Sequence, residues 1–239
     1  MKNSPLRDIF FPYRCCGCDR LTGSTLPFCK DCGDLRIRPD RKTGLCDVCG
    51  LHVSRCLCGK RLYYDKFSAV FYHENEARKN IFRLKFYLRT DIADAFAKAI
   101  LLQLEERDIL KGTDVIAFIP MRPLEKFRRG YNQAELLAKR LSAHTGIPCI
   151  SLLAKEFSTK NQHKLGKFAR SGNLSGVFEP VRKHRELIPG KHILIIDDVC
   201  TTGNTLNEAA KTLLIFGADS VSAATCTVRK KEKKTVEQK

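Results

Sequence analysis

The stretch IIDDVCTTGNT, residues 195–205, closes an apolar run with two adjacent carboxylates, Asp197 and Asp198, and then gathers three threonines around one glycine. The apolar run over 192–196 reads as a strand, and Leu206, Ala209, Ala210 and Leu213 behind it recur at helical spacing. Such a turn lies outside the carboxyl end of a strand, where parallel sheets bind ligands. Thr201, Thr202, Gly203, Asn204 and Thr205 would wrap a concave turn into the helix. Its backbone N–H groups and threonine hydroxyls, reinforced by the helix N-terminus, suit a phosphate. Neighbouring strand residues point to opposite faces, so both acids serve one ligand only if the chain is already turning at them. Carboxylates beside a phosphate nest accept hydrogen bonds from vicinal hydroxyls, so a ribose 5-phosphate fits. The plainer alternative, an Asp helix cap behind a core strand, leaves most of the eleven-residue pattern unused.

Outward from this turn the chain alternates between strand and helix. Residues 68–72 (SAVFY) read as a strand, followed by a helix from about Glu74 with Ala77, Ile81, Leu84 and Leu88 on one face. Its acids precede its bases, which suits the helix dipole. A second helix carries Ile92, Ala95, Phe96 and Ala99. Residues 115–119 (VIAFI) form an unalternating apolar run, as expected of a strand buried on both faces. A helix marked by Ala134, Leu137, Ala138 and Leu141, a strand over 149–153, a stop at Gly217 and a strand over 221–228 complete the pattern. Residues 154–190 lack a clean period and read as a mobile excursion. Repeated strand–helix–strand units imply an α/β domain with a parallel sheet covered by helices, spanning 67–228. The last residues, 229–239, are charged without an apolar face and are expected to be a disordered tail.

The 239 residues are 43% apolar, enough for a core, and no stretch has the roughly 18–20 uncharged apolar residues of a membrane span. Residues 1–18 lack the apolar region and cleavage site of a signal peptide, so the expected location is cytoplasmic. Lys and Arg number 43 against 26 Asp and Glu. That surplus suits a polyanionic partner or phosphorylated small molecules, and equally a solvated basic surface.

Nine of the twelve cysteines fall within residues 15–58, spaced Cys15-x-x-Cys18, Cys29-x-x-Cys32, Cys46-x-x-Cys49 and Cys56-x-Cys58. In a reducing compartment, pairs at this spacing are metal ligands before they are disulfides. Two knuckles complete a closed tetrahedral four-cysteine site, which means structural zinc, two ions in all, within a zinc-ribbon module over residues 1–66. Sequential pairing of the knuckles is expected; an interleaved cross-brace stays open, as does Cys16 replacing Cys15. Residues 14–66 hold eleven Lys and Arg and six Asp, a formal +5. Two four-thiolate zinc centres bring that to about +1, so the basic surplus lies downstream.

The 195–205 pattern resembles the phosphoribosyl-pyrophosphate (PRPP) loop of type I phosphoribosyltransferases. The order of parts resembles, more narrowly, the ComF family of competence proteins. So do Pro120-Met121-Arg122-Pro123, Arg129-Gly130-Tyr131-Asn132-Gln133-Ala134-Glu135, and then Gln162, Leu165, Arg170, Asn173, Gly176 and Phe178. The resemblance implies that Met121 and Arg122 belong to a pyrophosphate loop, and that Lys167 and Arg170 meet phosphate from a lid over about 154–180. It implies that Asp197 and Asp198 hold the ribose of PRPP with Mg²⁺. Its other implications are single-stranded DNA handling in natural transformation and a helicase-like competence ATPase as partner. An active phosphoribosyltransferase with an unknown acceptor is a further reading. Hypoxanthine–guanine relatives place an Asp shortly after the acidic pair; Cys200 and Thr201 stand there, which argues against purine salvage. Cys200 is expected to be a packed thiol.

Overall fold

The computed structural model describes residues 13–22, 26–37, 46, 48, 53, 56, 62–87, 89–155 and 177–229. In chain order these form α1 (Lys30–Asp34), β1 (Lys66–Tyr72), α2 (Asn75–Phe86), α3 (Thr90–Glu105), β2 (Val115–Phe118), α4 (Pro123–Arg129) and α5 (Gln133–Thr145). There follow β3 (Leu153–Lys155), β4 (Phe178–Pro180), a 3₁₀ turn (Arg182–Leu187), β5 (His192–Cys200), α6 (Asn204–Ile215) and β6 (Ser220–Val228). Four strands make one parallel sheet in the order β1-β6-β5-β2. The sequence-based α/β parallel-sheet class holds.

Alternation within each strand explains the layers. On β5, Leu194 and Ile196 enter a buried cluster with α2, α3 and α5, while Ile193 and Ile195 enter a second one with α6. β2 divides likewise: Ile116 and Phe118 face the first cluster, Val115 and Ala117 the second. Both faces are covered, so these strands read as continuous apolar runs. Truncating a side chain here, as in Ile195→Ala, would cost about 2–5 kcal/mol.

The strand expected over 149–153 is reduced to one parallel bridge, Cys149 to Ile116. Leu152 and Leu153 leave the sheet because β4 claims them: Val181 N–H donates to Leu152 O at 2.8 Å, and Leu153 pairs with Pro180. The excursion after Lys155 is thus anchored by an antiparallel β3–β4 pair; residues 156–176 lie outside the described residues, as do 230–239. α4 was not anticipated. Its signals were nevertheless conventional, proline at its first position and a left-handed Gly130 (φ 79°) after its end.

The N-terminal knuckles pack directly onto this body. Cys15, Cys16 and Cys32 are buried in the same cluster as Val70, Phe71, Ala77 and Ile81. Gly17 has no room for a side chain, since a Cβ there would meet Cys32 Sγ at 2.8 Å. Asp19, in the left-handed region (φ 63°), accepts two bonds from Arg89, at 3.0 and 3.3 Å, and pairs with Arg83 at 3.5 Å. Among the described residues, no helix is long and apolar enough to cross a membrane.

Candidate functional site

β5 outruns its expected end by four residues and carries both acids within the strand, Asp197 opposite Thr225 and Val199 opposite Thr227. The chain is therefore not turning at Asp197–Asp198, yet the two carboxyls stay close enough for the Asp198 side chain to act on Asp197. Asp197 remains partly exposed, and its Oδ1 accepts the Asp198 amide at 2.8 Å. Asp198 is buried on the α2 side, where Lys85 Nζ comes within 2.6 Å of its Oδ2, a charge contact outside hydrogen-bonding angles. Burial, then the charge of Asp198, pushes the Asp197 carboxyl well above the usual range.

Beyond Cys200, which is buried as expected of a packed thiol, Thr201 and Thr202 are exposed and Gly203 turns left-handed (φ 78°) to cap α6. The Asn204 amide donates to Thr202 Oγ1 at 3.4 Å, and Asn204 and Thr205 are exposed. The first-turn amides of α6 have no helical carbonyl ahead of them, so this end offers donors and a positive dipole. The loop from β2 arrives beside it: Ile119 N–H donates to Ile196 O at 3.0 Å. Asn132, buried, locks that approach by giving Nδ2 to Ile119 O at 2.9 Å and taking the Ala134 amide at 3.0 Å. Met121, half-buried, and the exposed Arg122 follow Ile119 at the same sheet edge. Lys167 and Arg170 lie outside the described residues.

Two residues at this edge escaped the sequence reading. Lys85 sits in the last turn of α2, where a base reads merely as a dipole complement; only the fold brings it to Asp198. His73 follows β1 and shares a 2.9 Å hydrogen bond between Nδ1 and Thr227 Oγ1. Burial, then Lys85 and Arg229, lowers its pKa.

At the other end, one sulfur each from Cys15, Cys18, Cys29 and Cys32 lies within 4.8 Å of the rest. Tetrahedral zinc with bonds of about 2.3 Å needs sulfurs about 3.8 Å apart. Cys18 and Cys29 stand at 3.7 Å, so this donor set fits one zinc ion. Burial alone would raise the Cys18 thiol, but hydrogen bonds from Arg20 and from neighbouring thiols outweigh it and bring it down to about 7. Cys16 is not one of these four clustered thiols; it is fully buried, and its carbonyl accepts from Asn80 Nδ2 at 3.0 Å. Of the second expected site, Cys46 is half-buried and Cys56 exposed, while Cys49 and Cys58 lie outside the described residues.

A family model described as phosphoribosyl transferase domain matches residues 128–239. The chain is 32% identical over 188 residues to "DNA utilization protein YhgH" of Escherichia coli, covering 74% of this chain and 81% of that one. It is 30% identical over 214 residues to "Competence protein F" of Haemophilus influenzae, covering 87% and 86%. It is 29% identical over 209 residues to "Competence protein ComFC" of Bacillus subtilis, covering 86% and 78%.

Proposed function

The chain belongs to the ComF family of competence proteins, and on that premise we propose that it binds PRPP or a related ribose 5-phosphate ligand and assists single-stranded DNA handling in natural transformation, in the cytoplasm. The observation that carries the ligand half is the partly exposed Asp197 near the carboxyl end of a central strand, with left-handed Gly203 and the α6 N-terminus beyond it. The 5-phosphate settles on the amides of 202–205 and the hydroxyls of Thr201, Thr202 and Thr205. Asp197 accepts from the ribose diol.

Asp198 acts one step back in this reading. It stands beside Lys85, and its charge adds to burial in raising the Asp197 carboxyl. Arg122, with Lys167 and Arg170 from the lid segment, supplies positive charge for pyrophosphate. Asp197, partly exposed, is the residue that would offer an oxygen toward Mg²⁺ or its water once it gives up its proton. When bound with PRPP, Mg²⁺ neutralises the pyrophosphate. Transfer to a purine is not part of this reading, because Cys200 faces the core and Thr201 is no base near neutral pH.

The DNA half rests on the names of the relatives and on the basic surplus. Docking of a helicase-like competence ATPase through the knuckles belongs to the same proposal. Isothermal titration with PRPP and Mg²⁺ tests the ligand half, and the same titration with Asp197→Asn should lose the binding heat. Heat unchanged by that substitution rejects the site.

A further inference from the structure

α2 carries more apolar surface than its core contact uses. Ala77, Asn80, Ile81 and Leu84 face inward and are buried, yet Phe82, Phe86 and Tyr87 are 51%, 54% and 66% exposed on the outer side. Contiguous aromatic surface left in water marks a binding surface more often than an accident of packing. The rings lie in reach of one another: Phe82 and Phe86 centroids are 4.6 Å apart at 45°, and Phe82 and Tyr87 5.9 Å apart at 56°. Tilted in this way, they do not stack flat and hide their faces from a third ring.

Cations interleave with them. Phe82 and Tyr87 line an open cleft of about 840 Å³ together with Arg78, Lys79, Arg83 and Arg89. The Arg129 guanidinium lies 5.4 Å over the Phe86 ring. Lys79 pairs with Glu76, Arg89 with Asp91, and Arg83 and Arg89 share Asp19. Five cations thus stand against three acids, and Arg78 has no ion pair among the described residues.

We propose that this cleft, with the Phe86–Arg129 pair beside it, binds single-stranded nucleic acid, unpaired bases stacking on Phe82 and Tyr87 and the phosphates following Arg78, Lys79, Arg83 and Arg129. Aromatic faces set in a basic groove are the requirement of a sequence-tolerant single-strand site. A groove for an amphipathic peptide helix takes aliphatic anchors at helical spacing, and among the described residues no aliphatic side chain lines this one. Paired bases of a duplex are stacked already and have no face to offer. The proposal rests on the DNA-handling half of the function above, and places it on the outer face of the helix whose Lys85 holds Asp198.

The test is fluorescence anisotropy of the full zinc-loaded chain with a labelled oligothymidylate of about 20 nucleotides, with oligouridylate and a duplex of equal length as parallel probes. The parent chain should bind both single strands and favour them over the duplex; the two single-strand arms decide between DNA and RNA. Phe82→Ala with Tyr87→Ala should weaken single-strand binding at least about tenfold, while PRPP titration and zinc content stay at parent values and certify the fold. Phe82→Trp should retain affinity. Arg78→Ala should reduce the slope of log affinity on log salt by about 0.7. If the parent binds oligothymidylate and the double variant binds it equally well, this cleft is not the site, although DNA handling stands. If the parent binds no single strand at all, the DNA half of the function fails and takes the inference with it. A preference for duplex also overturns the assignment.

Discussion

Lys85 at the end of α2 and Asp198 in β5 meet at 2.6 Å, and this contact ties the first helix of the α/β body to its central strand. Both side chains are largely removed from water, at 24% and 12% exposure, so removing one partner strands the other. Lys85→Met should cost on the order of 2 kcal/mol, below the fully buried figure because part of the lysine is still solvated. Asp198→Asn added to it should restore part of the loss. Urea unfolding of the two singles and the double closes the cycle; simple additivity would show that the contact carries no coupling.

Asp197 should report itself through pH. Its folded pKa is raised by burial and by Asp198, so the folded state holds its proton more tightly than the unfolded chain does. The sign follows: stability is unpenalised below the unfolded value near 3.9, and falls as pH rises from there to the raised folded value. Asp197→Asn removes the penalty. Its melting temperature should exceed the parent's at neutral pH and converge with it at about pH 3.5. Equal melting temperatures at neutral pH would mean that the carboxylate is ordinary.

Gly203 occupies a left-handed conformation (φ 78°) between the threonines and α6. Gly203→Ala should cost about 1 kcal/mol through backbone strain and should distort the amides offered to phosphate. PRPP affinity ought then to fall more than stability does. A fall in stability alone, with affinity intact, would move the phosphate elsewhere.

The zinc cluster shares its packing with the α/β body through Cys15, Cys16 and Cys32. Chelation should therefore lower the main unfolding transition, by about 10 °C, rather than melt a separate small unit. Cys18→Ser should lose one of the two zinc ions that the eight paired cysteines predict. Cys16→Ala should keep the full zinc content and lose about 1 kcal/mol, as a core residue does. Metal analysis beside calorimetry distinguishes the two cysteines.

How much of this was legible beforehand depends on the range of the forces concerned. β2 and β5 announced themselves, since a strand buried on both faces must be apolar throughout. The Cys15–Cys32 set did so as well, because two knuckles carry their own geometry. The strand expected over 149–153 failed because pairing of Leu153 with Pro180 is decided across a long excursion that has no local period. The two acids were expected where the chain turns, yet β5 runs on through both of them to Cys200, an extension that pairing with β6 decides. Lys85 could not be found from its neighbours, as its partner lies far along the chain. The exposed rings of α2 were hidden for a similar reason: Phe82, Phe86 and Tyr87 look like core residues until Ala77, Ile81 and Leu84 are seen to fill that side alone.

The most direct test of the central claim is calorimetric titration of the full chain with PRPP and Mg²⁺ near neutral pH, run beside Asp197→Asn. The account predicts saturable binding to the parent, at one site, and its loss in the variant. A flat trace for the parent, or identical traces for both proteins, contradicts it.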